Sequence, residues 1–95
     1  MTDRELLEAA AKAAGVDFTD WPHVNAPGKT REWNPLIHDS DALRLAVALK
    51  LEVIIEEGTT AAVKRGKAFA RETRADRGEA TRRAIVRAAA QLGQE

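Results

Sequence analysis

WNPLIHDSDALRLAVALKLEVII, from Trp33 to Ile55, holds an aromatic anchor, a proline stop, an acidic helix start, an apolar helix and the first strand of a sheet. Asn34-Pro35 demands extended or turn geometry, because the proline ring disfavours α conformation in the residue before it. Asp39, Ser40 and Asp41 then crowd a helix start. A short side-chain oxygen there accepts from free backbone N–H groups, and negative charge suits the positive end of the helix dipole. Ala42, Leu45, Ala46 and Leu49 follow at i, i+3, i+4 and i+7, and Leu43 and Val47 widen that stripe. A helix this apolar is expected to be largely buried and to serve as the core helix. At Leu51 the period falls from about 3.6 to about 2. Leu51, Val53 and Ile55 then share one face of a strand, and Glu52, Ile54 and Glu56 share the other.

Downstream, Glu57-Gly58-Thr59 supplies a turn and Thr60 to Lys64 a second strand, with Ala61 and Val63 on one face. Arg65-Gly66-Lys67 turns the chain again into a short third strand, Ala68 to Thr73. Two short turns in succession imply an antiparallel meander, in which Glu56 and Glu57 are expected to lie near Lys64 and Arg65. Asp76 with Glu79 has the spacing of a helix cap. It opens a last helix whose apolar stripe is Ile85, Ala88, Ala89 and Leu92 and whose end is set by Gly93.

Upstream, Thr2 and Glu5 fit a capping box, in which each side chain satisfies a backbone donor of the other. Leu6, Ala10 and Ala13 recur at helical spacing and Gly15 is a left-handed terminator, which predicts a helix over residues 3–14. No period is readable from Val16 to His38. Residues 16–38 are therefore expected to form one long loop, held at its ends by Phe18, Trp21 and Trp33. Its mobile tip is expected near residues 26–29, within NAPGKT, which has nothing to bury. The GKT triplet is no phosphate loop: no strand is readable before it, and the position five before Gly28 is His23 rather than glycine.

The motifs WNPL, the acidic cluster, DALRLAV and the closing ATRRAIVRAAAQLG resemble small bacteriophage and prophage proteins of the α-β-α (ABA) sandwich family. The resemblance spans roughly the whole chain. It implies an α-β-α sandwich and a phage origin, and therefore the host bacterial cytoplasm. The family supplies no catalytic residues to carry over. Where its relatives often have a glycine-containing acidic turn after the leucine, this chain has Ile37, His38, Asp39 and Ser40.

Ninety-five residues without cysteine make one domain, residues 1–95, that must fold on core packing alone. No leader and no long apolar run is readable, so neither a membrane nor secretion is expected. Lys and Arg balance Asp and Glu at 15 each, yet residues 1–63 carry 6 basic against 11 acidic side chains and residues 64–95 carry 9 against 4. Such a split means either that the halves pair with each other or that a basic face exists for a polyanion. Arg77, Arg83 and Arg87 of the last helix are the candidate basic face. Few aromatics accompany them, so any nucleic-acid binding is expected to be weak and non-specific.

Chemistry is scarce. His23 and His38 with Asp39 and Asp41 lack tight ligand spacing, and Ser40 sits within a helix start rather than beside a base. No metal, no cofactor and no enzymatic activity is expected. Trp21, His23, Trp33, Asn34 and His38 are the one candidate binding surface. They form either a cover over one edge of the core or a shallow aromatic pocket for a small ligand or peptide. The expected fold is α+β: a three-stranded antiparallel meander with three helices, arranged as an α-β-α sandwich or as two layers. The expected role is that of a non-enzymatic phage accessory protein that binds a host or phage protein, with nucleic-acid binding through the arginine-rich last third as the alternative. Homo-oligomerisation is compatible with the sequence.

Overall fold

The structure, a computed structural model, describes residues 2–16, 23–26 and 29–94, with the backbone alone for 23–26 and 29–32. In chain order the elements are α1 (Asp3–Ala14), β1 (His23–Ala26), β2 (Lys29–Glu32), α2 (Asp39–Leu49), β3 (Glu52–Glu56), β4 (Thr59–Lys64), β5 (Ala68–Glu72) and α3 (Arg77–Gly93). Strands β3, β4 and β5 form an antiparallel meander in that spatial order. The fold is α+β, with three helices and a three-stranded antiparallel sheet, and it is consistent with an α-β-α arrangement.

The local signals act as their chemistry requires. Thr2 Oγ1 accepts from the Glu5 N–H while the Glu5 carboxylate accepts from the Thr2 N–H, closing the capping box of α1. Hydrogen bonding of the Glu5 carboxylate to the Thr2 backbone, and to the Thr2 side chain, holds that carboxyl below its ordinary pKa. Gly15, at φ 73°, ends α1 in the left-handed conformation, and the Val16 N–H reaches back to the Ala11 carbonyl. Asp76 caps α3 by accepting from the Glu79 N–H. Lys50 ends α2 with φ 57°, a left-handed conformation unusual outside glycine, and so turns the chain into β3 within one residue.

Four expectations are corrected. The stretch 16–38 is not loop throughout, because β1 and β2 pair antiparallel within it, Ala26 opposite Lys29 and His23 opposite Glu32. A strand therefore does precede GKT, although the glycine that a phosphate loop needs is still missing. Of the expected mobile tip, residues 27 and 28 lie outside the described residues, as do Phe18 and Trp21. Second, α2 is capped by no side chain: its N-cap is His38, and Asp41 turns inward to accept from the Asn34 N–H at 3.0 Å. Third, antiparallel register puts Lys64 and Arg65 at the Glu52 end of β3, away from Glu56. Arg65 approaches Glu52 at 3.6 Å, and Lys64 Nζ donates to the Leu49 carbonyl.

The fourth correction concerns the core. The helix that touches every other layer is α3, which packs on the sheet, on α1 and on α2. Its Ala80, Ala84, Ile85, Val86, Ala88, Ala89 and Ala90 are all buried. By contrast Leu45 of α2 is 2% exposed while Leu43 and Val47 are 64% and 68% exposed. Only half of α2's apolar arc is core. Gly93 is the last residue of α3, as expected, and it also lies where α1 crosses: a Cβ there would sit 1.8 Å from the Ala9 carbonyl oxygen. Glycine is required at that crossing by space.

Two predictions follow from this packing. Leu45→Ala is expected to cost about 2–5 kcal/mol in chemical denaturation, as for a buried leucine that leaves a cavity, whereas Leu43→Ala should stay within about 0.5 kcal/mol. Gly93→Ala forces α1 and α3 apart and should cost about 3 kcal/mol or more, read as a lowered denaturation midpoint. A midpoint equal to that of the native chain would mean that the crossing is not tight.

Candidate functional site

The segment that joins β2 to α2 is held from both ends. Trp33 is 8% exposed and belongs to the hydrophobic core, and Pro35 is fully buried. Asn34 folds the turn: its Oδ1 accepts from the Leu36 N–H, and its carbonyl accepts from the N–H groups of Ile37 and His38. Arg82 of α3 then clamps the segment, donating from Nε to the Leu36 carbonyl at 2.9 Å and from Nη1 to Asp39 Oδ1 at 2.7 Å. Trp33 and Asn34 thus have structural positions, a core cover and a turn former. His38 is half-buried at the N-cap of α2. His23 begins β1, and Trp21 lies outside the described residues.

The three arginines of the candidate basic face are drawn to different neighbours. Arg83 bonds Asp3 of α1 at 3.0 Å, and Arg87 bonds both Glu72 and the Arg71 carbonyl of β5. Arg77 is exposed near the β3–β4 turn. Two of the charges are therefore matched by carboxylates, and the three do not converge. Burial would raise the Glu72 pKa, but hydrogen bonds from Arg87 and Arg74 together with their charges outweigh it and hold the carboxyl below its ordinary value. A depressed carboxylate pKa contributes stability above the ordinary value that is lost as pH falls through the lower one. Stability is therefore expected to drop as pH falls from about 5 towards 3, and Glu72→Gln should flatten that slope in urea titrations. An unchanged slope would place the pH dependence elsewhere.

What the structure does assemble is a groove that sequence reasoning missed. It lies between α2, β3 and α3, has a volume of about 520 Å³, and is lined by the apolar Leu43, Ala46, Val53, Ile55 and Ile85 together with the charged Asp39, Arg77 and Arg82. Ile55 is 55% exposed along it, and Leu43 continues the apolar surface outward. The sequence signal was available. Apolar residues at 42, 43, 45, 46, 47 and 49 cover more than half the circumference of a helix, so a helix on the surface must leave some of them in water.

The sheet borders this groove with an open edge. At the opposite edge, Gln91 of α3 satisfies β5 as a peptide would, accepting from the Phe69 N–H at 2.9 Å and donating to the Phe69 carbonyl at 2.7 Å. Phe69 therefore directs both backbone groups away from β4, which makes its pair with Val63 the non-hydrogen-bonded type. Alternation along the ladder then points the backbone groups of Glu52, Ile54 and Glu56 toward β4 and those of Val53 and Ile55 outward. Among the described residues no hydrogen bond satisfies that outward edge. The side chains of Val53 and Ile55 line the groove, so polar backbone and apolar wall meet along one strand.

Among the described residues no three His, Cys, Asp or Glu side chains gather as metal ligands, and no helix is long and apolar enough to cross a membrane. Comparison of the chain with family models, with curated proteins and with solved structures returns no match.

Proposed function

We propose that this chain is a non-enzymatic domain that binds another protein through the groove between α2 and β3. We further propose that it is one of the small bacteriophage or prophage proteins its motifs resemble, acting in the host cytoplasm on a host or phage partner. The observation that carries the reading is the exposure of Leu43, Val47 and Ile55 on a chain whose other large apolar side chains are mostly drawn into the core. Contiguous apolar surface beside a groove marks a place where a second surface is accommodated. The resemblance to phage proteins supports the setting, and the groove supports the mode of action.

The test compares the native chain with Leu43→Glu and Val47→Lys, two changes on the solvent side of α2 that should leave the melting curve nearly unaltered. Each is used for affinity capture from untreated and nuclease-treated lysates of phage-infected bacteria. A protein retained by the native chain and lost by both variants is the expected result. Equal retention by all three chains would remove the groove from the binding surface, and loss of every retained partner on nuclease treatment would favour nucleic acid instead.

A further inference from the structure

Resting on that reading, we infer that the partner's binding segment is an extended strand, alternating apolar with basic residues, that adds to the open edge of β3. Two independent features of the edge select this occupant. The first is backbone polarity. The outward N–H and C=O groups of Val53 and Ile55 lie in line along β3, and only another extended backbone matches such a row. A helix laid in the groove would cover the apolar side chains and leave those groups without partners, at the desolvation cost of each one buried.

The second feature is charge. Strand periodicity puts Val53 and Ile55 on the groove face, and Glu52 and Glu56 on the opposite face with Ile54 between them. An added strand must repeat that division. Side chains on its groove side that meet Leu43, Ala46 and Ile85 are favoured when apolar. Those on its other side lie beside Glu52 and Glu56, where Lys or Arg is favoured and Asp or Glu repelled. Arg65 does not settle this charge itself: it reaches Glu52 only at 3.6 Å and its side chain is 87% exposed, the geometry of a weak surface pair. Glu56 has no ion pair among the described residues.

The same charges argue against a second copy as the occupant. A twofold pairing of β3 with β3 centred on Ile54 would set Glu52 of each chain against Glu56 of the other. Strand β5 of a second copy is closed to pairing by Gln91 and Arg87.

The test uses a blocked synthetic peptide of alternating valine and lysine, about seven residues long, with two controls: its shuffled isomer, and its counterpart with glutamate for lysine. Binding is followed by fluorescence anisotropy and amide exchange by NMR on the full chain. The expected result is that the valine–lysine peptide binds at least about tenfold more tightly than either control and slows exchange at Val53 and Ile55. Ile55→Pro removes an outward donor at an edge position where proline is tolerated and should weaken binding at least about tenfold. As a check independent of proline, Glu52→Lys with Glu56→Lys should transfer the preference to the valine–glutamate peptide. Three results overturn the inference: no preference among the peptides, binding without protection of Val53 and Ile55, or protection of those amides by concentration-dependent self-association without peptide. In each case the wider reading is judged separately, by whether Leu43→Glu still abolishes capture of the cellular partner.

Discussion

The approach of two backbones at the crossing of α1 and α3 governs how this small chain closes. Gly93 faces the Ala9 carbonyl at a distance that no side chain at position 93 could accept. The adjoining surfaces are built from Ala10 and Ala11 on one helix and, on the face that helical spacing gives to Gly93, from Val86, Ala89 and Ala90 on the other, all buried. Small residues bring α1 against α3 closely enough that dispersion contacts replace the bulk that larger side chains would supply. With α1 so placed, α3 is free to turn Ile85 toward the groove beside α2 and, with Ala84 and Ala88 on the face away from Gly93, to meet β4 and β5, whose Ala62 and Ala70 are buried. A single helix can reach this many neighbours only if most of its core positions are alanine.

The polar connections follow the same helix. Thr81 donates to the Arg77 carbonyl and accepts from Thr60, a hydroxyl fully buried on β4. Arg82 fixes the turn before α2, Arg83 holds α1, and Arg87 and Gln91 hold β5. Part of the uneven distribution of charge along the chain is explained by these contacts. The basic last third supplies the arginines, and the carboxylates of Asp3 and Asp39 come from the acidic first part. Most of these pairs lie near solvent, where each contributes little to stability. Their value is positional.

Short-range signals were legible because they act within a few residues. The capping box at Thr2 and Glu5, the Gly15 terminator, the cap at Asp76 and the meander with its turns at Gly58 and Gly66 are read from local geometry and recur in the structure. What failed was the inference of burial from hydrophobicity alone. Leu43 and Val47 carry the same apolar signal as Leu45, and only their azimuth on the helix relative to α3 separates them. Alanine was undervalued for the converse reason: it adds little to a hydropathy pattern, yet it allows the closest packing. The hairpin of β1 and β2 was illegible because its strands are four residues each and mostly polar. Asp41 looked like a cap and is instead a buried acceptor for the Asn34 N–H, a partner seven residues away that no helix-start rule predicts. Of the candidate site, Trp33 is buried in the core and Asn34 shapes the turn, and the groove depends on how far α2 stands from β3, which no single stretch encodes.

The two edges of the sheet are chemically unequal, and this limits how the protein can assemble. A sheet open on both sides can take strands end over end, each addition recreating the template that received it, which is how filaments and fibrillar aggregates grow. Here the Gln91 amide occupies β5 in the manner of a terminal strand that carries no further edge. Growth from β3 therefore finds no open partner in the β5 edge of the next molecule. One glutamine thus gives the three-stranded sheet a direction, one edge closed by a side chain and the other left to display apolar surface.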